Sequence, residues 1–395
     1  MHLSGNELRV VFTSALVGTL LGSFLFGFLG DRLGRRPTII LSTALFGAFT
    51  LLLAAATSYW HFVILRFFAG VALGGTLPLL WALSVEYVAT RYRATVVTLI
   101  MLGYGIGTST AGPISVKLSP LFGWQSVFVF GGVAALIAAV LLYGALPESL
   151  RFLATRANDR ERMARIVKRL APQRTDLDGA QFVMSGFEAT THRWWDLRAL
   201  FEGPLRTITP LLWIGYAASS MTSFFFTTWG PLVFEALGFD RNTAAYAISL
   251  NSIAGAIGGV ALMRFTDRIG AISVAVMPAL AVPFLLYIGM EQVPHAAFIT
   301  IMAMLMTFLG GSHYGIISIS GTFYPTSHRA LGTGWLSAAG KIGAISAPSV
   351  GLAVLSSHIP VQRTFAILAI APTIFAIAIF AIGMLERRGR VRAAA

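Results

Sequence analysis

One cationic side chain, Lys341, lies inside an otherwise uncharged stretch that runs from residue 330 to residue 362. Along a helix it would lie roughly 15 Å from the start of that stretch, about halfway across a bilayer. A buried ammonium is costly unless it is paired or faces water, so Lys341 is predicted to bind the carboxylate of an anionic solute. The alternatives are an ion pair with an acidic residue of a first helix that this chain is expected to lack, or extension of the side chain toward the membrane surface.

Two further polar side chains within apolar stretches could contribute to such a site. Arg66 follows Tyr59, Trp60 and His61, an aromatic belt of the kind found at membrane interfaces. It could face a cavity and bind an anion, or extend to the outer headgroups. His313 could relay a proton or contact a solute, or it could be a hydrogen-bonded structural histidine. Several aromatic residues could stack on a solute ring, and the sequence singles out none of them: Trp81, Tyr104, Tyr216, Trp229 and Tyr314.

A second group of charges lies at residues 27–37, which read GFLGDRLGRRP and stand between two uncharged runs. Gly27 and Gly30 are predicted to let the two helix ends approach closely, and Gly34 to permit the turn. Glu86 ends a later apolar run and is predicted to pair with Arg35 or Arg36, which would lock a cytoplasmic gate. A role for Glu86 in proton coupling is the alternative. The gating set is completed by Asp31 and Arg32.

The composition identifies the class of protein that holds these residues. The chain has 395 residues, of which 56% are hydrophobic and 11% are charged, against about 25% charged in a soluble domain. We therefore expect an all-α polytopic membrane protein embedded in a lipid bilayer. The net charge of +13 is explained by basic loops between spans and requires no nucleic acid. The absence of cysteine excludes thiolate metal sites and cysteine nucleophiles.

The uncharged runs predict about eleven transmembrane helices, five before and six after one long polar stretch. The loops alternate between a basic set and a nearly neutral set, and the basic set is expected on the cytoplasmic side. This places the C-terminus in the cytoplasm and the N-terminus outside. The predicted divisions are an N-terminal bundle at 1–147, a cytoplasmic connecting segment at 148–206, a C-terminal six-helix bundle at 207–386 and a basic tail at 387–395. Within the connecting segment, Met163, Ile166, Val167 and Leu170 have the spacing of an amphipathic helix.

An internal repeat relates the two halves. Asp31-Arg32-x-Gly34 recurs as Asp267-Arg268-x-Gly270, an offset of 236 (267 − 31). The same offset relates Arg93-Ala94 to Arg329-Ala330, so Asp267, Arg268 and Arg329 join the predicted gating set. Two parallel repeats about the membrane normal are the plan of one large class of transporters. The second half has one more helix before its copy of the motif, so we expect that a first helix is missing through truncation or a misassigned start.

The loop at 27–36 resembles the G-x-x-x-D-R-x-G-R-R signature of the major facilitator superfamily, with a looser copy that begins at Met263. More narrowly, the chain resembles the aromatic acid:proton symporter family, carriers of benzoate-type acids. That resemblance rests on the strings at 66–87, 93–107, 147–153 and 323–335. It implies a major facilitator fold of two pseudo-repeated helix bundles. It also implies proton-coupled uptake of small aromatic carboxylic acids through a bacterial inner membrane, and it strengthens the expectation that Arg66 is functional.

The chain departs from that family at two places. The family's first helix carries an acidic motif, and this chain lacks a matching helix. In the family's G-x-G-R-I-G run the arginine is replaced here by Lys341, which keeps the charge but loses the bidentate fork that matches a carboxylate.

No catalytic constellation is found in the sequence. It contains no G-x-x-x-x-G-K-[ST] phosphate loop and no zinc-type pair of histidines, so we expect neither an enzyme nor a metal or organic cofactor. The proton gradient is the expected driving force. Two other hypotheses remain: a facilitator of sugars, drugs or dicarboxylates, and a truncated inactive protein or membrane sensor.

Overall fold

The computed structural model describes residues 4–89, 92–154, 160–170, 173, 197–291, 293–324, 329–357 and 359–394. The described residues form fourteen α-helices and one 3-10 turn, Leu197–Phe201. In the first half the helices are α1 Gly5–Leu33, α2 Arg35–Ala54, α3 Tyr59–Glu86, α4 Arg93–Phe122, α5 Gln125–Ala145, α6 Leu150–Ala154 and α7 Arg160–Leu170. In the second half they are α8 Leu205–Ala236, α9 Arg241–Ile269, α10 Ala271–Met290, α11 His295–Phe323, α12 Arg329–Leu355, α13 Arg363–Leu368 and α14 Ile370–Ala394.

Nine spans among the described residues are long and apolar enough to cross a membrane. They correspond to α1, α2, α3, α5, α9, α10, α11, α12 and the consecutive pair α13 and α14. Helices α4 and α8, with 30 and 32 residues, are also of bilayer length. This gives five long helices in the first half and six in the second, which confirms the predicted fold class.

The turn between each pair of repeated helices is a glycine with a positive φ. Gly34, with φ 105°, separates α1 from α2, and Gly270, with φ 75°, separates α9 from α10. Other residues rarely adopt this backbone conformation. The two glycines are related by the offset of 236 found in the sequence, so the duplication extends to the backbone of the turn.

Two compact units are distinguished by their internal contacts. The N-terminal unit comprises residues 14–100 and 124–191, and the C-terminal unit comprises 1–13, 101–123 and 192–395. The beginning of α1 and most of α4 thus group with the second half of the chain. The domain boundaries predicted from the repeat stay a prediction.

Close helix packing in the N-terminal unit depends on glycines of α1 and α3. A Cβ added at Gly18 or Gly22 of α1 would overlap the backbone of α3 at Phe67 or Val71. Conversely, a Cβ at Gly74 of α3 would overlap the carbonyl of Thr19 in α1. Small residues of this kind let helix backbones approach each other within a membrane.

In the C-terminal unit the same device joins α9 to α11 and α8 to α12. Gly258 of α9 lies against the carbonyl oxygen of Thr307, and Gly343 of α12 lies against the carbonyl oxygen of Ala217. A buried aromatic core on the same helices includes Phe225, Trp229 and Phe234. These contacts set α8, α11 and α12 side by side, which positions the candidate site.

The connecting segment contains the predicted amphipathic helix. It is α7, Arg160–Leu170, in which Met163 is buried and Lys168 is exposed. The segment's last described part is the 3-10 turn before α8, where the Thr209 hydroxyl donates to the carbonyl of buried Leu200 at 2.7 Å.

Candidate functional site

His313 of α11 is the centre of a polar and aromatic cluster in the C-terminal unit. Its Nδ1 lies 3.0 Å from the hydroxyl of Ser219 in α8, which is itself buried. The Tyr216 ring stacks on the imidazole with centroids 5.4 Å apart and an interplanar angle of 28°. The Tyr314 ring meets it edge-on at 6.1 Å. The hydrogen-bonded histidine that the sequence allowed as an alternative is therefore present, and a role of His313 in substrate binding stays a prediction.

Lys341 of α12 lies at the level of this cluster. The preceding residue, Gly340, is packed so closely on the Tyr216 ring that an added Cβ would overlap it. Because Gly343 packs on Ala217 one turn further on, the register between α8 and α12 is set by backbone contact. Lys341 itself is half-buried. The structure thus brings a cation and a histidine, both predicted from sequence, to one level of the C-terminal unit.

Tyr104 of α4 lies in the same unit as Tyr216 and Tyr314, and the next residue, Gly105, packs against Ala256 of α9. Beside it along α4, a cavity of about 410 Å³ opens between α4 and α9. Its lining is apolar except for Ser109 and includes Leu102, Ile106, Ile253 and Ile257. The cluster therefore combines a titratable imidazole, hydroxyl groups and aromatic faces, with Lys341 on the adjoining turn of α12 and an apolar surface beside it. Such a set can hold an aromatic ring and orient one anionic group on it.

Arg66 lies in the N-terminal unit, where its guanidinium carbon is 5.3 Å from the centroid of the Phe128 ring on α5. Its Nε is buried and has no hydrogen-bond partner among the described residues. A cation held over an aromatic face retains its capacity to bind an anion. A role of Arg66 in substrate binding stays a prediction.

The predicted ion pair of Glu86 is formed with Arg35 rather than with Arg36. Both side chains are mostly buried, with exposed fractions of 14% and 15%. The second carboxylate oxygen of Glu86 accepts a hydrogen bond from the Ser149 hydroxyl at 2.6 Å. Arg36 instead donates to the carbonyl oxygen of Tyr143 at 2.5 Å and lies over its ring. The pairing is confirmed, whereas its role as a gate lock stays a prediction.

Glu148 completes this network, and the residue-by-residue reading of the sequence missed it. One of its carboxylate oxygens accepts the backbone N–H groups of Arg35 at 2.9 Å and Arg36 at 3.1 Å. A carboxylate at the first turn of a helix accepts hydrogen bonds from free N–H groups and interacts favourably with the helix dipole.

The phenol of Tyr87 donates to the Glu148 carbonyl. Burial, together with the charges of Glu86 and Glu148, raises the pKa of Tyr87 to about 12, so this phenol remains a donor at neutral pH. The string PESLRFL at residues 147–153, on which the family resemblance partly rests, contains Glu148 and could have indicated it.

The expectation for Gly34 is met, whereas the expectation that Gly27 and Gly30 let the ends of α1 and α2 approach closely is not. Gly34 makes the turn, and Gly30 packs closely, although its neighbour is Leu79 of α3 rather than α2. A Cβ at Gly27 would meet nothing within 4 Å among the described residues. Close packing against a described residue therefore does not explain Gly27. A gating role for Gly27 and Gly30 stays a prediction.

Of the remaining gating candidates, only Asp31 and Arg32 have side chains that the structure describes. Asp31 and Arg32 are exposed, and Arg32 lies 4.3 Å from the centroid of the Phe28 ring. Asp267 and Arg268 lie on α9 and Arg329 begins α12, but the side chains of these three lie outside the described residues. In the part of the chain that the structure describes, no group of three His, Asp or Glu side chains could hold a metal ion.

The helix-capping role of Glu148 leads to a prediction for stability. Glu148→Gln keeps the shape of the side chain but removes the charge that faces two N–H groups of α2. Hydrogen bonds to charged groups contribute about 1.5–3 kcal/mol each, and Glu148 is partly exposed, so we expect a loss near the lower end of that range. Thermal unfolding in detergent measures it. Glu202→Gln, on an exposed residue, is the matched control, and equal melting temperatures for the two variants would contradict the capping role.

Comparison with known proteins identifies the family. The model of the Major Facilitator Superfamily matches residues 1–318 and 212–394. The chain belongs to the Major Facilitator Superfamily. The fold agrees with solved members of that superfamily at low sequence identity. The xylose transporter XylE from E. coli, in a partially occluded inward-open conformation, aligns with a TM-score of 0.69 at 17% identity and covers 96% of this chain and 89% of its own. A mutant of the nucleoside transporter NupG aligns with a TM-score of 0.67 at 16% identity, over 96% and 91% of the two chains.

Curated relatives within the superfamily are more similar in sequence. The 4-hydroxybenzoate transporter PcaK of Pseudomonas aeruginosa is 30% identical over 350 residues, 88% of this chain and 78% of its own. PcaK of Acinetobacter baylyi is 30% identical over 380 residues, 95% and 82% of the two chains. The gallate transporter of Pseudomonas putida is 29% identical over 96% and 84%. This superfamily member is therefore a multi-span membrane transporter and not an enzyme.

Proposed function

We propose that this transporter carries small aromatic carboxylates into the cytoplasm together with protons, by alternating access. The observation that carries the proposal is the cluster in the C-terminal unit, where Lys341 lies level with the stacked rings of Tyr216 and His313. The relatives named as carriers of 4-hydroxybenzoate and gallate support the same class of substrate.

Each part of such a substrate has a chemical counterpart in the cluster. The Lys341 ammonium neutralises the carboxylate, and the faces of Tyr216 and Tyr314 suit a benzene ring. A ring hydroxyl can exchange hydrogen bonds with tyrosine or histidine. A sugar could exchange hydrogen bonds with these hydroxyl groups, but it carries no negative charge for the Lys341 ammonium to attract.

Proton coupling removes an electrical obstacle to uptake. An anion that moves inward alone works against an inside-negative potential, at about 2.3 kcal/mol per charge for each 100 mV. A proton that moves with the anion makes the step electrically neutral. The proposal therefore needs no organic cofactor or metal, and it places the chain in a bacterial inner membrane with its basic C-terminal tail in the cytoplasm.

The network around Arg35, Glu86 and Glu148 has a mechanical role in this proposal. Rigid units that rock about a central site need their helix ends held together within each unit. The ion pair and the capped N-terminus of α2 tie α2, α3 and the end of α5 into one body. In this proposal, the gating residues predicted from the sequence act at the cytoplasmic ends of the helices.

Uptake by purified protein in proteoliposomes tests the proposal. With an inward proton gradient, labelled 4-hydroxybenzoate is expected to accumulate, and unlabelled gallate or benzoate is expected to compete while xylose and nucleosides are not. Competition by xylose alone would favour a sugar facilitator. Absence of uptake of every solute tried would favour an inactive or sensory protein, and accumulation that ignores the gradient would contradict symport.

A further inference from the structure

Helix α7 has one apolar side and one basic side. Its 11 residues include five basic residues and one acidic residue. Met163 is buried, with 5% of its surface exposed, and Ile166 and Val167 are half-buried. At 3.6 residues per turn, Arg165 and Lys168 fall on the side opposite Met163, and both are exposed. The described side chains therefore divide into a protein-facing apolar side and an outward-facing basic side.

The contacts of α6 place α7 at the ends of the membrane spans. Helix α7 packs on α6, the short helix that follows α5. The Phe152 ring of α6 lies against the turn at Gly34, where an added Cβ would be 3.0 Å from it. The Phe152 backbone N–H donates to the Ser149 hydroxyl, which itself donates to Glu86 at the end of α3. Helix α6 thus holds α7 at the end of the spans that the basic loops predict to be cytoplasmic.

The basic side of α7 is placed where a bilayer presents its phosphate groups. The headgroup region of a bilayer begins where its hydrocarbon core ends, at the ends of the membrane spans. Exposed Arg151, on the adjoining helix α6, adds a further cation to Arg165 and Lys168. Each basic residue near an anionic lipid surface strengthens attachment about fivefold. Because Met163 is already buried by the protein, the attraction comes from these charges and not from insertion of the apolar side.

We propose that the basic side of α7 binds the phosphate groups of anionic phospholipids in the leaflet that surrounds this end of the spans. The bound lipids hold α7 on the bilayer surface, and through α6 they brace the turn at Gly34. A lipid is favoured over a soluble acidic partner, because headgroups surround a membrane protein at this level at high local concentration. The inference goes beyond the proposed function and holds whichever solute is carried.

Hydrogen exchange of the full chain in nanodiscs tests where the lipid acts. The nanodiscs contain phosphatidylcholine alone or phosphatidylcholine mixed with the anionic lipid phosphatidylglycerol. We expect the peptide that covers α7 to exchange several-fold more slowly in the mixed nanodiscs, and high salt to reduce this protection. A peptide from the start of α9, at the other end of the spans, is the internal reference. Equal exchange of the α7 peptide in the two kinds of nanodisc would overturn the proposal.

Charge-neutralised variants test which residues bind the lipid. Arg165→Gln with Lys168→Gln is expected to weaken binding of short-chain phosphatidylglycerol in a neutral detergent about 25-fold, at about fivefold for each charge. Arg198→Gln with Arg206→Gln removes two charges from exposed residues next to the start of α8 and is the matched control. Soluble glycerol phosphate is expected not to protect α7. Unchanged lipid binding by the first variant, an equal loss in the control, or protection by glycerol phosphate would overturn the assignment to α7.

Discussion

Replacing Lys341 by methionine is expected to reduce uptake of 4-hydroxybenzoate by about 10- to 100-fold, because a hydrogen bond to a charged group contributes about 1.5–3 kcal/mol. Methionine keeps much of the length and apolar character of the side chain, so the packing of α12 on α8 should be retained. The neighbouring glycines that set this packing, Gly340 and Gly343, are left unchanged. Initial rates of uptake into proteoliposomes measure the effect.

Two further variants separate charge from shape. Lys341→Arg keeps the positive charge and adds a fork that can bind a carboxylate through two hydrogen bonds, so uptake is expected to persist. Lys117→Met makes the same chemical change at an exposed residue of α4 and should leave the rate unaltered. Equal uptake rates for Lys341→Met and Lys117→Met would contradict a role of the Lys341 ammonium in substrate binding.

Gly258→Val is expected to prevent stable folding of the C-terminal unit. The added side chain would overlap the carbonyl oxygen of Thr307, and a backbone atom in a packed helix cannot turn aside. Overpacking of a well-packed core costs about 1–3 kcal/mol and sometimes more. Here the expected cost is at or above that range, because α9 and α11 would have to separate along the whole stretch that includes Gly255 and Gly310.

Size-exclusion profiles and melting temperatures in detergent measure this effect. Gly144→Val is the matched control, because a Cβ at Gly144 would meet nothing within 4 Å among the described residues. The control isolates the lower helix propensity of valine from the clash. Similar melting temperatures for the two variants would contradict the close contact between α9 and α11.

Features that depend on local sequence could be predicted well. The eleven long helices follow from uncharged runs of bilayer length, and the positive φ of Gly34 and Gly270 follows from the repeated D-R-x-G motif. An ion pair of Glu86 with Arg35 or Arg36 could also be predicted, because opposite charges at the same end of neighbouring spans seldom remain apart, whereas the choice of Arg35 required the structure. In each case the physical cause is visible within a short segment or a simple charge balance.

Features that depend on which face of a helix meets which neighbour could not be predicted. These helices are apolar on nearly all sides, so their sequences give little indication of a buried face. The contact of Ser219 with His313 joins residues 94 positions apart, and many serines in apolar runs were equal candidates. The prediction for Gly27 failed for the same reason, since the sequence resembled that of a packing glycine but a Cβ there would meet no described residue within 4 Å. The choice of Tyr216 among several aromatic residues required the register between α8 and α12.

The most direct test compares the binding of 4-hydroxybenzoate with that of 4-hydroxybenzamide, its uncharged analogue, to the unaltered chain and to Lys341→Met. Calorimetry gives the four dissociation constants. We expect the unaltered chain to bind the acid at least tenfold more tightly than the amide, a difference of about 1.4 kcal/mol, and the variant to bind the two equally. A preference for the acid that is undiminished in Lys341→Met would contradict the assignment of the carboxylate to this residue.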